Sequence, residues 1–547
     1  MTTHCYPITV LPHTSRLFAD FLGSPQDGVY VNEPLLQRCY PALSGAASRF
    51  GWMSRPSSLT PEHRGRLADL LAAQNTQPAA LANIERLRQG ANAVVTGQQV
   101  VLFGGPLLTL LKAATAVARA EQATAAGHPH VPIFWLATED HDLAEVNHVH
   151  MLSSTDVESL KAAIPHTAGQ PVGGLRLRDG ITQALDRATE LLAHAPVSEA
   201  LREAYAPGAT LAGAFARFIA GVFAAHGLIV LDAASREFHS LAAPTLEYAI
   251  RNAAALQSEL RKRSTELEKA GYHAQVLVAE NASTLFLIDE TTGVRNALRL
   301  AADSPDTPDA PPWKAGTSAY CTKQLLEILR TAPERLSPNV LLRPVFQDTL
   351  LPTSLYIGGP AEIAYFAQSQ VLYQAILGRT TTVDARLSAT LIEPAIATVM
   401  AKHEVELPQA FTSPDELAQR LGARAMPVEG KQKLSAAGNA LNQELEALTA
   451  WMHSLSSTLG ASADVSASKM RYQMNRLRRM AATFELQRTA SIARHAAAIS
   501  LYVFPLQHPQ ERIVAGAWFL ARFGDDLPAT LIEAAKSPCR SHQAIEL

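Results

Sequence analysis

The spacing of apolar positions predicts helices in the first part of the chain. Up to about residue 90, leucines recur at helical intervals, as at Leu67, Leu70 and Leu71, and prolines separate the segments. We therefore expect residues 1–90 to form a helical arm that packs on the main domain.

The spacing changes after residue 90, where short apolar runs alternate with longer amphipathic segments. Ala93–Thr96 predicts a buried strand, Pro106 is placed to open a helix, and Val131–Leu136 predicts the next strand. This order is the unit of a parallel sheet with a right-handed crossover. Further strands are expected at Leu228–Leu231, Leu341–Leu342, Leu355–Ile357 and Thr381–Val383.

These runs predict an α/β fold in which residues 91–395 form a doubly wound, Rossmann-like core. Two stretches, at about 150–220 and 236–335, are too long for simple crossovers and are interpreted as insertions. The local elements expected in them are a hairpin around Gly173–Gly174, an antiparallel pair of Ala274–Val278 with Thr284–Ile288, and a solvated loop at Asp303–Pro312.

The C-terminal third carries a heptad pattern with spacings of 7, 4, 3, 4, 3 and 4. Its members are Leu434, Leu441, Leu445, Leu448, Met452, Leu455 and Leu459. Gly460 is expected to end this helix, and a second heptad helix follows, so the pattern predicts an antiparallel hairpin within a coiled-coil domain over 396–500. Residues 501–547 are expected to return to the core. The basic run Arg471–Arg479 indicates either a solvated face or a nucleic-acid contact.

Composition narrows the function classes. The chain has 547 residues, 47% of them apolar and 18% charged, which is enough to bury a large core. Its net charge of −3 gives no global case for nucleic-acid binding. No apolar stretch reaches the roughly 18 residues of a membrane span, and no secretory signal is visible. Four cysteines without CxxC spacing argue against a disulfide scaffold and a zinc knuckle. We expect a soluble, cytoplasmic protein without membrane or nucleic-acid partners.

The first candidate site follows the first predicted strand and leads into a helix. Its residues are Thr96, Gly97, Gln98, Gln99, Gly104, Gly105 and Pro106. Ligands of open α/β sheets bind at the carboxyl ends of the strands, and a helix N-terminus suits a phosphate or carboxylate. The pattern is neither GxGxxG nor GxxxxGK[ST], and a glycine turn needed only for packing is the alternative interpretation.

The second candidate site leaves the second strand as Glu139, Asp140, His141 and Asp142, with Asn147 shortly after. Three carboxylates and an imidazole are costly to bury unless they are paired or bind a ligand. They could orient an ammonium group, act as acid and base, or bind a divalent cation. A helix start capped by an acidic residue is the structural alternative.

The third candidate site combines a polar segment with a Gly-Gly-Pro turn that opens a helix. Its residues are Arg343, Gln347, Asp348, Gly358, Gly359, Glu362 and Tyr365, and Arg386 follows the last predicted strand. Arg343 could hold a carboxylate or phosphate, although a structural ion pair is equally compatible with the pattern. The chain contains no GxSxG, P-loop or HExxH motif and no cysteine in a nucleophile motif.

At these motifs the sequence resembles the BshC family, the cysteine ligases of bacillithiol biosynthesis. The resemblance covers nearly the whole chain. The matching segments are VVTGQQVVLFGGPLLTLLKA (94–113), PIFWLATEDHDLAEVNH (132–148), GYHAQV (271–276), NVLLRPVFQDTLLPTSLYIGGPAEIAYFAQ (339–368), RLSATLIEP (386–394) and PQER (509–512).

The resemblance implies a core similar to class I aminoacyl-tRNA synthetases, with connecting-peptide insertions, and a homodimer through the coiled coil. The implied reaction adds cysteine to glucosaminyl-malate. ATP is the expected cofactor, with Mg²⁺ as an optional companion and ADP or AMP as product, by analogy with the mycothiol cysteine ligase. The sequence contains no HxGH or KMSKS string, and Gly104-Gly105-Pro106 stands where the HxGH string would be expected. The activated intermediate could therefore be either an adenylate or a phosphorylated species.

The expected roles divide the candidate residues into three groups, and no tightly bound metal is expected. Asp140, His141 and Asp142 are assigned to catalysis. The substrate-binding group is Thr96, Gln98, Gln99, Glu139, Asn147, Arg343, Gln347, Asp348, Glu362, Tyr365 and Arg386. The cofactor-binding group is Gly97, Gly104, Gly105, Pro106, Gly358 and Gly359.

Two other functions compete with the ligase. One is a metal-dependent hydrolase centred on His141, Asp142 and His148. The other is a non-catalytic nucleotide-binding scaffold that uses the coiled coil as a platform for partners.

Overall fold

The structure is a computed structural model that describes residues 2–23, 34–40, 50–57, 59–300, 313–488 and 490–547. The loop predicted at Asp303–Pro312 lies outside these residues. Within the described ranges, no helix combines the length and apolarity needed to cross a lipid bilayer.

The N-terminal region is mostly helical but begins with a strand. Its elements are β1 (Thr2–Tyr6), α1 (Arg16–Leu22), α2 (Pro34–Cys39), α3 (Pro61–Gln74) and α4 (Pro78–Arg88). Thr60 caps α3 by accepting from the His63 amide, and proline occupies the first position of both α3 and α4. The two helices bury Leu67, Leu71 and Leu87 in the main core.

The first strand–helix–strand unit is formed by β2 (Asn92–Gln99), α5 (Leu108–Ala125) and β3 (His130–Ala137). Every residue of β3 is buried, as expected for a parallel strand covered on both faces. The strand β2 continues past the expected end at Gly97, because Gly97, Gln98 and Gln99 still pair with β3.

The first insertion contains a small hairpin followed by helices. Its elements are α6 (Leu143–Val146), β4 (His148–Leu152), β5 (Val157–Lys161), α7 (Thr182–Leu191), α8 (Pro196–Ala204) and α9 (Leu211–Val222), and β6 (Ile229–Asp232) returns to the core. The hairpin prediction at Gly173–Gly174 is wrong. That segment is a loop whose Gly173 amide donates to Thr138 O, and β4 and β5 form the hairpin instead.

The second insertion combines helices with a small antiparallel sheet. Its elements are α10 (Arg236–Leu241), α11 (Ala243–Arg251), α12 (Ala253–Lys269), β7 (Ala282–Ile288), β8 (Arg295–Leu300), β9 (Trp313–Ala315), β10 (Ser318–Tyr320), α13 (Thr322–Thr331), β11 (Leu336–Pro338) and α14 (Arg343–Leu350). These strands have the spatial order β10–β9–β8–β7–β11.

Two strand predictions in this region are wrong. The partner of β7 is β8 rather than Ala274–Val278, where Val276 is held by the side-chain amide of Gln368 through both its N–H and its carbonyl. Leu341–Leu342 is not a strand, because the Asn339 side chain accepts from both amides and turns the chain into α14.

The chain then completes the central sheet with β12 (Thr353–Gly358), α15 (Pro360–Leu377) and β13 (Thr382–Ala385). The five strands are all parallel and have the order β13–β12–β2–β3–β6. The order reverses at β2, so the carboxyl ends of β2 and β12 flank the position where such sheets bind ligands. The prediction of a Rossmann-like α/β core is confirmed.

The rest of the chain builds a second sheet and a helical domain. Its elements are β14 (Ser388–Ile392), α16 (Pro394–Lys402), α17 (Leu407–Ala410), α18 (Pro414–Ala425), α19 (Val428–Leu455), α20 (Ser457–Arg488), α21 (Ala490–Val503), α22 (Gln510–Ile513), α23 (Gly516–Phe523), α24 (Leu527–Lys536) and β15 (His542–Glu546). The strand β15 lies between β14, which is parallel to it, and the antiparallel β1.

A disulfide joins Cys5 to Cys539 across this second sheet. Their spacing in the sequence gave no sign of it, because the two cysteines are 534 residues apart and meet only through the pairing of β1 with β15.

The helices α19 and α20 form the predicted antiparallel hairpin. His453 forms an ion pair with Asp464, and Arg471 donates to Asn442 further along, as antiparallel neighbours must. The expected end at Gly460 is wrong, because the helix breaks at Ser456 and Gly460 lies within α20. A Cβ on Gly460 would lie 2.1 Å from His453 Nδ1, so glycine allows close contact rather than ending the helix.

Candidate active site

A cavity of about 780 Å³ opens at the carboxyl ends of β2, β3 and β12. The antiparallel β7–β8 pair and the helix α22 complete its wall. Its volume is in the usual range for a ligand pocket. Six cationic side chains and three carboxylates line it: Lys112, Arg295, Arg299, Arg343, Arg386 and Arg512, and Asp140, Glu145 and Glu362. The cavity therefore carries an excess of positive charge.

Lys112 and Glu362 form the buried centre of one wall. Lys112 Nζ lies 2.5 Å from Glu362 Oε2 and donates to Gly97 O and Gln98 Oε1 at 2.7 and 2.9 Å. Burial lowers the pKa of the Lys112 ammonium, and Glu362 offsets part of this effect. The contacts use all three ammonium protons and fix the end of β2 against the start of α15.

Glu362 also organises the first turn of α15. Its carboxylate accepts from the Gly359 amide and from the Tyr356 hydroxyl, both at 2.7 Å. Burial and the neighbouring carboxylate raise the pKa values of Tyr356 and Tyr365, so both phenols stay protonated donors near neutral pH.

Arg343 and Asp140 face each other in the wall of the cavity. Arg343 Nη2 donates to Asp140 Oδ1 at 2.7 Å, and both side chains are about one-fifth exposed. Burial alone would lower the pKa of Arg343, but Asp140, Tyr365, Glu139 and Tyr356 together raise it above its usual value. The pair lines the cavity, so the ion-pair and the ligand-binding interpretations of Arg343 both remain compatible with its position.

Arg386 enters the cavity from the end of β13 and is held from behind. Its guanidinium makes two hydrogen bonds to Glu511, and the neighbouring residue Arg512 lines the cavity. Burial would raise the carboxyl pKa of Glu511, but Arg386, His542 and the Ala389 amide together lower it. The PQER segment therefore contributes directly to the site, although none of its residues was among the predicted site residues.

Arg295 lies under the antiparallel sheet with its guanidinium 3.7 Å from the ring centroid of Phe286. It donates to Ser337 Oγ and to Pro338 O, and burial lowers its pKa to about 10. It forms no ion pair among the described residues, which leaves its charge available to an anion in the cavity.

Many of the residues predicted from sequence meet in this cavity. They are Gly97, Gln98, Gln99, Asp140, His141, Arg343, Gln347, Gly359, Glu362, Tyr365 and Arg386. Most of them converge because they follow parallel strands of one sheet, whereas Arg343 and Gln347 reach the cavity from α14. The residues missed by sequence reasoning are Lys112, Glu145, Arg295, Arg299, Tyr356 and Arg512.

The glycines of the first candidate site have a different place from the one predicted. Gly104 and Gly105 have φ of 83° and 72°, and a Cβ on Gly104 would lie 2.6 Å from Phe218 Cε1. The Gly104 amide donates to the Tyr205 hydroxyl. Gly104, Gly105 and Pro106 do not line the cavity, and the glycines serve a tight turn packed under α9.

Other predicted residues lie beside the cavity rather than in its wall. Thr96 donates to Ile357 O between two strands, and Gly358 forms the buried end of β12. Asp348 points from α14 toward Thr381, away from the cavity. Glu139 Oε1 lies 3.1 Å from Nε2 of the buried His239. Burial would lower the pKa of this histidine, but Glu139, the Leu336 backbone and Glu334 together raise it.

Asp142 and Asn147 border a neighbouring groove, together with His141. Asp142 caps α6 by accepting from the Ala144 amide at 3.0 Å, which is the structural alternative considered for this acidic segment. Among the described residues, no group of three or more His, Cys, Asp or Glu side chains is arranged to hold a metal ion. The metal-dependent hydrolase therefore lacks a ligand set in this part of the chain.

The sequence matches two family models that together span almost the whole chain. They are "Bacillithiol biosynthesis BshC, N-terminal Rossmann-like domain" over residues 4–386 and "Bacillithiol biosynthesis BshC, C-terminal coiled-coil domain" over residues 389–547. The chain belongs to the BshC family. The boundary between the two family domains falls just after Arg386, so the Arg386–Glu511 pair joins them.

Relatives in several bacteria carry the name "Putative cysteine ligase BshC". The chain is 41% identical to that of Koribacter versatilis strain Ellin345, with both chains covered completely. It is 36% identical to that of Solibacter usitatus strain Ellin6076, with 99% of each covered. It is 31% identical to that of Salinibacter ruber strain DSM 13855, with 90% of this chain and 92% of the relative covered. These relatives favour neither the hydrolase nor the scaffold.

Proposed function

We propose that the chain is a ligase that uses ATP to join the carboxyl group of cysteine to the amino group of glucosaminyl-malate in the cavity at the sheet edge. The observation that carries the proposal is the excess of cationic side chains around a nucleotide-sized cavity at the point where the strand order reverses. The names of the BshC relatives supply the class of reaction.

The phosphate and carboxylate groups of the substrates would be bound by those cationic side chains of the cavity that form no ion pair with a carboxylate. Arg299 and Arg512 are exposed at the cavity and form no ion pair among the described residues, and Arg295 is held only by neutral groups. Fixed positive charge at the place where the phosphoryl group accumulates negative charge lowers the barrier to activation. ATP cleavage to AMP or to ADP is compatible with this arrangement.

Amide formation also needs an unprotonated amine. The amine nitrogen attacks the activated carboxyl carbon, the phosphate or AMP leaves with the bonding electrons, and the nitrogen loses a proton to a base. His141 lines the cavity and is exposed to it, and Asp140 stands beside it on the same strand end. We assign proton removal to His141 and binding of an ammonium group to Asp140.

The remaining carboxylates divide between structure and cation binding. Glu362 is engaged by Lys112, whereas Glu145 contacts only the amide of Gln99 and forms no ion pair among the described residues. Glu145 would hold a Mg²⁺ ion that accompanies the nucleotide, because hard cations prefer carboxylate oxygen. Gln98 and Gln99 orient the substrate as hydrogen-bond donors and acceptors.

The coiled coil is proposed to form a homodimer, and the reaction to take place in the cytoplasm, where ATP is supplied. Large apolar side chains are exposed on both helices of the hairpin: Leu448, Trp451 and Leu455 on α19, and Tyr472, Leu477 and Phe484 on α20. Such exposed apolar side chains on a helical hairpin are typical of an interaction surface.

Mass spectrometry of products tests the ligase directly. The full chain is incubated with cysteine, ATP and glucosaminyl-malate, with reactions that omit each component as controls. We expect a product with the mass of the amide, formed only with all three substrates, together with ADP or AMP. An amide that forms without ATP, or no amide with all three present, would contradict the proposal.

A further inference from the structure

The disulfide between Cys5 and Cys539 lies at the surface of the second sheet. Cys5 is exposed and Cys539 is partly exposed, so a small thiol in solution can reach the bond. Disulfides are rare in cytoplasmic proteins, because thiols are kept reduced there, and those that do form are usually transient or redox-sensing. In an enzyme that works in the cytoplasm, as proposed above, this accessible bond therefore points to regulation rather than to a permanent crosslink.

The disulfide supplies much of the attachment of β1. The side chains of residues 2–5 are exposed and Tyr6 is only partly buried, so the strand buries little apolar surface. It lies at the edge of the sheet, and β15 is its one strand partner among the described residues. A short edge strand with so little burial is marginally stable. Opening the disulfide should therefore let β1 leave β15, while the buried residues Ile8 and Leu17 keep the following segment in place.

The segment around Cys539 is tied directly to the cavity end of β13. Arg540, the next residue, forms an ion pair with Asp384, with Nη2 3.0 Å from Oδ1. Both side chains are largely buried, at 9% and 15% exposed. Asp384 lies two residues before Arg386, whose side chain lines the cavity. A displacement of Cys539 therefore acts on the end of β13 through one buried contact.

A second set of contacts leads from β15 to the same arginine. Tyr6 of β1 is paired with His542 of β15. The ring of His542 contacts the hydroxyl of Ser388 at 2.8 Å, and this hydroxyl also donates to the carboxylate of Glu511 at 3.2 Å. Glu511 in turn accepts two hydrogen bonds from Arg386. The β1–β15 pair and the Cys539 segment thus both lead to Arg386.

We propose that the Cys5–Cys539 disulfide is a redox-sensitive clasp. When it is closed, it holds β1 on β15 and keeps Arg386 in its position in the cavity wall. When it is open, both sets of contacts to Arg386 loosen and the activity falls. The effect on activity rests on the proposed function, whereas the hold of the clasp on the segment around Arg386 can be tested without it.

Opening is a thiol–disulfide exchange in two steps. The thiolate of a small thiol attacks the exposed sulfur of Cys5, a new S–S bond forms, and Cys539 leaves with the electrons of the broken bond and takes up a proton. A second small thiolate attacks the first small thiol's sulfur in the mixed disulfide, and Cys5 leaves and is protonated. The cysteine pair gains two electrons and two protons, and two small thiols are oxidised to one disulfide. Closing is the reverse reaction with that small disulfide.

Under the proposed function this chemistry gives a feedback. Cysteine and its amide product are both thiols of the class that opens the clasp. A reduced thiol pool therefore slows the enzyme, and an oxidised pool increases its activity.

The test varies the redox state without varying the substrate. Cysteine is both substrate and reductant, so its concentration is held fixed and cystine alone is raised. The full chain is equilibrated in these buffers, free thiols are alkylated, and mass spectrometry gives the fraction of closed Cys5–Cys539 bond. Hydrogen exchange in the same buffers reports on β1, β15 and residues 384–390, and amide formation is measured in parallel.

Two variants serve as comparisons. Cys5→Ser removes the clasp and also shows any direct effect of cystine on the enzyme. Cys321→Ser is the matched control, because this free cysteine stands at the start of α13 and serine also caps a helix.

We expect the bond to be open in cysteine alone and closed at high cystine. Opening should raise amide exchange in β1 and β15 by about tenfold, the signature of a local opening, with a smaller rise at residues 384–390. It should lower kcat/KM by about tenfold, within the cost of a displaced binding group. Cys5→Ser should match the open wild type at every cystine concentration, and Cys321→Ser should follow the wild type.

Each of four outcomes would overturn the clasp. These are Cys5 and Cys539 that stay reduced at the highest cystine concentration; a bond that stays closed in cysteine alone; opening that leaves hydrogen exchange at residues 384–390 unchanged; and opening that leaves the rate of an active enzyme unchanged. Redox-dependent exchange at residues 384–390 in a protein that forms no amide would support the clasp and contradict only the proposed ligase.

Discussion

Arg386 and Glu511 form a buried ion pair with two hydrogen bonds, Nη1 to Oε2 at 3.0 Å and Nη2 to Oε1 at 2.6 Å. Their side chains are 4% and 3% exposed. Glu511 also accepts from the hydroxyl of Ser388 and the amide of Ala389, so its carboxylate is saturated. The pair connects the Rossmann-like domain to the C-terminal domain directly behind the cavity.

Replacing Glu511 by glutamine should destabilise the protein strongly. Glu511→Gln keeps the shape but leaves the Arg386 guanidinium buried without a countercharge, which costs about 3 kcal/mol of unfolding free energy. Urea unfolding measures the change. The control is Glu533→Gln, which removes an exposed partner of Lys536 and should cost less than about 1 kcal/mol. If the two variants lower the free energy of unfolding equally, the buried pair contributes no more to stability than the exposed one.

His542 should make stability fall in mild acid. Its ring lies between the hydroxyls of Ser388 and Thr390, and burial lowers its pKa to about 4, with Glu511 opposing and Arg386 supporting this shift. In the unfolded chain the histidine has a pKa of about 6.5. Between pH 6.5 and pH 4 the unfolded state therefore binds a proton at this residue while the folded state does not, and this difference favours unfolding. Stability conferred by the neutral ring is complete above pH 6.5 and declines toward pH 4.

Urea unfolding at pH 7.5 and pH 5 measures this decline. At pH 5 the contribution of His542 should have fallen by about 2 kcal/mol. In His542→Gln that part of the pH dependence should disappear, while contributions from other histidines stay. If the variant loses as much stability between the two pH values as the wild type, the neutral state of His542 does not control the acid sensitivity.

The sequence predicted the central sheet well, because its strands are local features. The run His130–Ala137 is almost continuously apolar, and such a run indicates a strand buried on both faces whatever the rest of the chain does. The site residues at strand ends were predictable for the same reason, since the carboxyl ends of parallel strands share one edge. Gln98 and Asp140 are examples.

Residues that reach the site from other segments were not predictable in this way. Arg295 reaches the cavity from an antiparallel strand, and Glu511 reaches Arg386 from the helix α22. Tertiary packing, not local sequence, decides which elements these two segments contact. Lys112 did leave a signal, because it is a lysine inside the apolar face of α5, and a buried cation requires a partner. Gly104 shows the limit of the pattern, because a glycine needed for packing under α9 and a glycine that admits a phosphate look the same in sequence.

Asp140 should be needed for ligation. Asp140→Asn removes the charge that would hold an ammonium group and weakens the contact with Arg343, so we expect a loss of amide formation of about a hundredfold. Steady-state kinetics with each substrate varied in turn measures the loss. Asp69→Asn, which removes an exposed partner of Arg88, is the matched control and should keep full activity. Full activity in Asp140→Asn would remove Asp140 from the site.

Asp142→Asn separates capping from catalysis in the same segment. Asparagine caps a helix as well as aspartate does, so the unfolding free energy should change by less than about 0.5 kcal/mol. Because the carboxylate faces the groove and not the main cavity, we expect a smaller loss of activity than in Asp140→Asn. A loss as large as that of Asp140→Asn would support the catalytic role assigned to all three residues from sequence.

The proposed dimer should depend on only part of the heptad pattern. Leu445 is 5% exposed and packs inside the hairpin, whereas Leu448 and Leu455 are 46% and 59% exposed on α19. The double variant Leu448→Asp, Leu455→Asp therefore places charge on the exposed face without disturbing the hairpin. We expect light scattering to show a wild-type dimer and a variant monomer at micromolar concentration, with unchanged helix content. Gln443→Asp, also exposed on α19, should remain a dimer. A wild-type monomer would contradict the dimer, and a dimer that persists in the double variant would place the contact on another surface.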